Sequence, residues 1–334
     1  MLEEEIRPQN LMINYTKYLE MNIKRLLHYK DGFVYISCPA CKASLNSKKL
    51  FKKNELTYVT CLDCGTVYTN PRPTPIILDK HYAESEKYYY WNKYIFPASE
   101  EARREKIFKP RAERVANICH LNNIGTDTLL EVGAGFGTFC EEIDKLNIFN
   151  QIIAVEPTPD LAHTCCNKGL NVIEKPIEQV DLGTKSIDVI VSFEVIEHLF
   201  SPFDFLYSCK RLLSPNGLLI LTCPNVRGFD ITILQELSST FGIEHLNYFH
   251  PASLSLLASR CEFKVLEILT PGKLDVELVR NKIRSGELDI STQPFLKYLL
   301  IDEWDRVGSN FQQFLADNLL SSHMWIVAQK EDIQ

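Results

Sequence analysis

Three groups of residues in this chain have the types and spacing to do chemistry. Near the start, CPAC and CLDC place Cys38, Cys41, Cys61 and Cys64 in two pairs separated by nineteen residues. Each CxxC puts two thiolates in one tight turn, and two such turns supply the four sulfur corners of a closed structural zinc site. The intervening SLNSKKLFKKNELTYVT is turn-prone and then strand-like, the outline of a zinc ribbon. With every corner filled, no position is open to water or substrate, so the expected Zn2+ folds the N-terminus and takes no part in bond-making.

The second group is EVGAGFGTF, which sets Gly133, Gly135 and Gly137 just after an apolar run. At the carboxyl end of a parallel strand, glycines let the chain turn sharply and let a ligand approach the backbone. The spacing is GxGxG, with Thr138 where a dinucleotide fingerprint wants its third glycine, and no GK[ST] follows to make a P-loop. Glu156 ends the next apolar run, where a carboxylate can accept both hydroxyls of an adenosine ribose. NAD, FAD and S-adenosylmethionine all carry that ribose. Glu131, beside the glycines, favours the last, because a carboxylate there suits an ammonium group and repels a pyrophosphate.

The third group comprises Glu197 and His198 in EVIEHL, and Glu244, His245, Asn247, Tyr248 and His250 in IEHLNYFHP. So many polar groups between hydrophobic stretches are poor core filling, and they can move a proton at an acceptor. His245, Glu244, Tyr248 and His198 are the candidates for that role; for the histidines the alternative is capping or bonding to loop carbonyls. A second metal site among Glu197, His198, Glu244 and His245 is not adopted, since the spacing offers no HxxxH pair on one helix. Asn225, Arg227 and Asp230 in PNVRGFDI, and Arg280 and Arg284 further on, are candidate grips for a polar or anionic acceptor.

Positioning these groups requires alternating strands and helices. TLLEVGAG, IIAVEP, LNVIEKPI, SIDVIVSFEVIEHL and LLILTCPN are apolar runs separated by helical stretches, which means a parallel sheet covered on both faces. FKVLEILTPG and SHMWIVAQK add two more strands around an insertion. Upstream, NPRPTP reads as a stiff connector, and HYAESEKYYYWNKYIFP as packing or as the lid of a pocket. The charged helix that follows is expected to kink or divide at Pro110.

LLEVGAGFGTF, VEP, VISFEVIEHLFSP and LLSPNGLLILTCPN, in that order, resemble the class I S-adenosylmethionine-dependent methyltransferases. More narrowly they resemble the small-molecule branch that includes ubiquinone-type O-methyltransferases and zinc-containing sugar C-methyltransferases. The resemblance covers about residues 105–270. It implies an α/β, Rossmann-like seven-stranded sheet of order 3-2-1-4-5-7-6, its last strand antiparallel. It further implies that Glu131, Gly133, Gly135 and Gly137 form the methionine-side loop and that Glu156 binds the ribose. Pro157 would flank the adenine, Ile177 and Glu178 would sit at its edge, and Phe193 and Glu194 would end a strand beside the methyl donor. CPAC, CLDCG and YTNPRP resemble the zinc-binding lead-in of the sugar C-methyltransferases, whose large second C-terminal domain has no counterpart in these residues.

The expected organisation is a helical lead-in over 1–34, the ribbon over 35–70, a connector with an aromatic and helical cap over 71–120, and a methyltransferase domain over 121–334 with an insertion at about 274–320. The expected function is methyl transfer from S-adenosylmethionine to a small polar acceptor, a nucleotide-linked sugar or glycan precursor. The alternatives are an RNA methyltransferase gripping RNA through Lys48, Lys49, Lys52 and Lys53 of the ribbon, and a non-catalytic interaction protein on the same fold. A net charge of −7 and a pI near 5.7 weigh against a nucleic-acid partner. The opening MLEEEIRPQN is acidic where a targeting segment is basic, and no apolar run is long enough for a membrane span, so the expected location is the cytoplasm. The seven cysteines outside the two pairs read as small buried hydrophobes.

Overall fold

Each apolar run becomes a strand in the computed structural model, which describes residues 3–44, 46–183 and 186–331. The N-terminal part contributes β1 (Ser47–Lys53), β2 (Leu56–Cys61) and β3 (Val67–Thr69). Then follow β4 (Thr128–Val132), β5 (Gln151–Val155), β6 (Asn171–Ile173), β7 (Ile187–Phe193), β8 (Leu213–Pro224), β9 (Asn247–Tyr248), β10 (Phe263–Leu269) and β11 (His323–Lys330). The large sheet runs β10-β11-β8-β7-β4-β5-β6. Counted along its own strands from β4, that is the order 3-2-1-4-5-7-6 expected above, read from the far edge. β11 is antiparallel to both of its neighbours, while β4 to β8 pair in parallel.

Burial on both faces explains why these runs carry no polar alternation. In β7, Ile190 joins Leu130, Leu219 and Ile326 on one face, whereas Val189 and Val191 join Leu129, Leu218 and Val327 on the other. Of the seven remaining cysteines, six are buried as expected and Cys166 is exposed.

The small sheet has the order β1-β2-β3-β9, so its fourth strand comes from the middle of the large domain. Val67 pairs with Tyr248 and Tyr68 with Asn247, which ties the cysteine-bearing segment by backbone hydrogen bonds to the loop that carries His245. The connector is more than a spacer. Arg72 is fully buried, and its guanidinium donates to the carbonyls of Thr69 (3.2 Å), Phe200 (3.2 Å) and Leu246 (2.9 Å) and to Oδ1 of Asn247 (3.1 Å). An arginine has five donors and no acceptor, so a cage of carbonyls can satisfy it without a carboxylate.

Beyond the connector, residues 86–121 run as one nearly continuous helical rod. Pro110 does not divide it. Two wider π turns, Trp91–Ile95 and Arg104–Phe108, lie just ahead of Pro97 and Pro110. There Phe96 and Lys109 donate to carbonyls five residues back, at Trp91 and Arg104. Shifting the pairing by one residue accommodates a ring that has no N–H and would clash in a regular turn. Between β10 and β11, the helices Asp275–Arg284, Pro294–Lys297 and Trp304–Asp317 pack on a separate apolar cluster that includes Val279 and Leu300. Among the described residues, no helix is long and apolar enough to cross a membrane.

Candidate active site

A cavity of about 620 Å³ lies where β4, β5 and β7 end. Parallel sheets bind ligands at this edge because the loops there diverge and the backbone groups are unpaired. Gly133 comes from the first turn, Glu156 and Pro157 from the end of β5, Ile177 and Glu178 from the turn after β6, and Phe193, Glu194 and His198 from the end of β7 and its loop. Tyr82, Tyr88 and Asn92 of the aromatic segment close another side, so that segment is pocket wall as well as packing.

The three glycines do different work. All have left-handed φ, at +77° (Gly133), +57° (Gly135) and +69° (Gly137). A Cβ on Gly133 would stand 2.5 Å from Val195, and one on Gly137 would stand 2.4 Å from Leu170, so those two are needed for close packing. A Cβ on Gly135 would meet nothing within 4 Å. That open backbone is where a ligand can approach. Glu156 is fixed beside it: Oε2 accepts the Gly135 N–H (2.8 Å) and Oε1 the Thr158 N–H (2.9 Å). Burial raises the Glu156 carboxyl while these N–H donors oppose the rise. A glycine turn, a carboxylate at the second strand end and an apolar slot fit an adenosine-bearing cofactor. The helical rod docks onto the same turn through Phe96, which stacks on Phe136 with ring centroids 3.7 Å apart. Glu131 does not line the cavity. It accepts from the Cys140 thiol (2.9 Å), and burial pushes its carboxyl up to about 8 against the lowering effects of Cys140 and Arg111.

His198 and His245 come together from separate loops, ring centroids 4.6 Å apart and nearly perpendicular. Burial lowers both imidazoles, to about 4 and about 3, so both are neutral at pH 7. His198 faces the first cavity and His245 a second one of about 340 Å³, which it shares with Lys87, Tyr88 and Glu244. Glu244 forms a buried ion pair with Lys87, and His81 Nε2 lies 3.9 Å from its other oxygen. Burial acts to raise the Glu244 carboxyl, but Lys87 and His81 more than offset it and hold it at about 2.

Tyr248 lies outside these cavities. Its strand residue turns into the aromatic cluster of Tyr58 and Phe241, and its hydroxyl donates to the His245 carbonyl at 2.8 Å. It supports His245 and has no route to a substrate. Asn225 is also structural, fully buried with its amide donating to the carbonyls of Leu319 and Ser321. Arg227 and Asp230 line none of these cavities either, and Arg280 stacks over Trp304 at 4.4 Å.

Residues 93–268, just over half of the chain, match the family described as methyltransferase domain. The chain belongs to that methyltransferase-domain family. Over 115 residues, or 33% of the chain, it is 30% identical to the ubiquinone biosynthesis O-methyltransferase of Bradyrhizobium diazoefficiens. Over 103 residues, or 29% of the chain, it is 33% identical to the enzyme of that description from Caulobacter vibrioides. These matches span 44% and 41% of the relatives' own lengths, less than half of each. A SAM-dependent methyltransferase from Archaeoglobus fulgidus superposes with a TM-score of 0.49 and 22% identity, covering 71% of this chain and 100% of that one.

Around the methyltransferase-domain core, the structure adds contacts that the sequence does not show. Asn247 donates to the carbonyls of Leu199 (2.7 Å) and Ile196 (3.3 Å) while accepting from Arg72, so it locks the His198 loop to the His245 loop. The arginine between two prolines was the visible signal; its partners were not. Glu194 follows β7 at φ +57°, a backbone that a residue with a side chain adopts only under local strain. It accepts from the Thr222 hydroxyl (2.6 Å) and lies 3.7 Å from Arg111. On the far side of Glu194 a third cavity of about 360 Å³ carries Arg7, Lys106, Arg111, Arg114 and Lys273. In the N-terminal segment, the sulfurs of Cys38 and Cys64, and of Cys41 and Cys61, lie 3.5 Å apart, and all four lie within 4.8 Å of one another. A tetrahedron of ~2.3 Å zinc–sulfur bonds has edges of about 3.8 Å, so the four thiols fit one zinc ion. His250 reaches this knuckle, with Nε2 2.9 Å from the Cys64 carbonyl.

Proposed function

We propose that the chain transfers a methyl group from S-adenosylmethionine to a small polar acceptor of the nucleotide-linked sugar or glycan-precursor class. The observation that carries this reading is Glu156, which lines the 620 Å³ cavity and accepts the N–H of Gly135, a glycine whose Cβ position is open. S-adenosylmethionine supplies a methyl group already activated on a sulfonium, so the protein's part is to align the acceptor and exclude water. Glu156 would accept the ribose hydroxyls, Pro157, Ile177 and Glu178 would border the adenine, and Gly133 and Gly135 would take the amino-acid end. Tyr82 and Tyr88 would shield the reacting end from solvent. His245 or His198, both neutral, could take a proton from the acceptor.

Support for an anionic acceptor comes from the third cavity. Its five cationic side chains adjoin Glu194, which also borders the cofactor cavity; Arg7, Lys106, Arg111 and Arg114 pair with Glu3, Glu5, Glu194 and Glu267, whose charge an incoming anion would have to displace. A phosphate-bearing sugar would suit those walls. The four thiolates would hold a structural Zn2+ whose role, through β3 and β9, is to hold the His245 loop in place.

Calorimetry with S-adenosylhomocysteine tests the core of the reading. Micromolar binding is expected, and no binding at millimolar ligand would sink it. Transfer of labelled methyl into a panel of nucleotide sugars, compared with tRNA, tests the acceptor class.

A further inference from the structure

Glu197 has no place in the reading above, and its surroundings are unusual. It is 1% exposed, and neither carboxylate oxygen has a hydrogen-bond partner outside its own residue. A buried carboxylate left in that condition costs several kcal/mol unless something compensates it. Two imidazoles adjoin it. Nδ1 of His198 and Nδ1 of His245 are likewise buried with no partner. One ligand atom from each of the three residues lies within 4.8 Å of the others.

The set is also braced. The backbone N–H groups of Leu246 and Asn247 both donate to the Glu197 carbonyl, at 2.8 and 3.0 Å, and the Arg72 cage holds the same two loops. Nearby cations are already matched, Lys87 by Glu244 and Arg111 by Glu194 at 3.7 Å, which leaves Glu197 without a cationic partner, its carboxyl pushed well up by burial and by Glu194. We propose that Glu197, His198 and His245 form a divalent-cation site in the wall between the first and second cavities. The expectation against a second metal rested on ligand spacing along one helix. Here the ligands come instead from two loops brought together by tertiary structure.

Two imidazoles and one carboxylate suit Mn2+, Fe2+, Co2+ or Zn2+ better than Ca2+. Three protein ligands leave positions open, and His198 and His245 face the first and second cavities, from which an acceptor can reach the cation. Resting on the methyl-transfer reading, this narrows the acceptor to one that presents oxygen donors, such as a hydroxyl or a vicinal diol, and gives the two histidines the part of holding the cation in place of taking the acceptor's proton.

The test is a Mn2+ titration of the full chain loaded with a single equivalent of Zn2+, which the four thiolates take up, with free Mn2+ counted by electron paramagnetic resonance. Mn2+ prefers nitrogen and oxygen donors and leaves the thiolate site alone. One Mn2+ per chain is expected, bound about tenfold or more weakly by Glu197→Gln and by His245→Gln. Mn2+ should raise the thermal midpoint of the wild type and not of the variants. Should His245→Gln unfold, Glu197→Gln carries the comparison, because it replaces an unpaired buried carboxyl without adding bulk. No Mn2+ retention up to millimolar concentration, or equal retention by the variants, overturns the site. S-adenosylhomocysteine calorimetry on the same samples separates the two readings. Nucleoside binding without Mn2+ overturns the cation site alone, while Mn2+ binding without nucleoside supports it and removes the methyl-transfer reading.

Discussion

Replacing Lys87 by methionine would strip Glu244 of its ion-pair partner in a site where both are buried, at 5% and 9% exposure. A carboxyl held at about 2, against its ordinary 4.5, contributes about 3 kcal/mol of stability once it is ionised in both states. Because the folded value is depressed, that contribution is complete above pH 4.5 and is lost as the pH falls toward 2. In Lys87→Met the balance reverses. Burial then dominates, the folded value of Glu244 rises above its unfolded one, and the penalty grows with pH. Breaking a buried pair from one side typically costs about 3–5 kcal/mol, so a loss of that size is expected near neutral pH. Urea unfolding followed by far-UV circular dichroism, at about pH 5 and about pH 8, would show the larger deficit at the higher pH. The double variant Lys87→Met with Glu244→Gln should recover most of it, because no charge is then stranded. A deficit below about 1 kcal/mol, or a double variant no better than the single, would refute the reasoning. The consequence reaches the site, since Lys87 precedes Tyr88 on the cavity wall and Glu244 precedes His245.

Gly135→Ala should fold at a left-handed backbone cost of roughly 1 kcal/mol yet bind S-adenosylhomocysteine about tenfold more weakly by calorimetry. Gly133→Ala should instead lose about 1–3 kcal/mol in denaturation, because its methyl meets Val195. Glu156→Gln removes the charged acceptor and should weaken the nucleoside by about 1.5–3 kcal/mol; unchanged affinity would remove Glu156 from the ribose contact. Cys38→Ser should bring zinc, measured by atomic absorption, from about one equivalent to below about half. It should also lower the thermal midpoint, since β3 pairs with β9.

Much of the architecture was legible because its causes are local. The unbroken apolar runs of β4, β7 and β8 announce a sheet covered on both faces, and GAGFG announces a turn only glycine can make. Glu156 could be named because a strand end and a ribose-binding carboxylate are close in sequence. Lys52 and Lys53 illustrate the limit of local reading. They resemble an RNA-gripping tract, yet Lys52 pairs with Glu55 and Lys53 donates to the Ser238 carbonyl.

By itself, the sequence determined the strands, the cysteine knuckles and the glycine turn, since each follows from periodicity or spacing within a few residues, whereas the order of the strands was implied only by the family resemblance. The tertiary structure alone decided that Arg72 meets Asn247 across 175 positions and that Lys87 meets Glu244 across 157. It also decided that Tyr248 is core and that Glu197, His198 and His245 share one buried point. The physical reason is that partners drawn from distant segments leave no period or spacing in the chain, and their chemistry depends on burial, which only the packed fold defines.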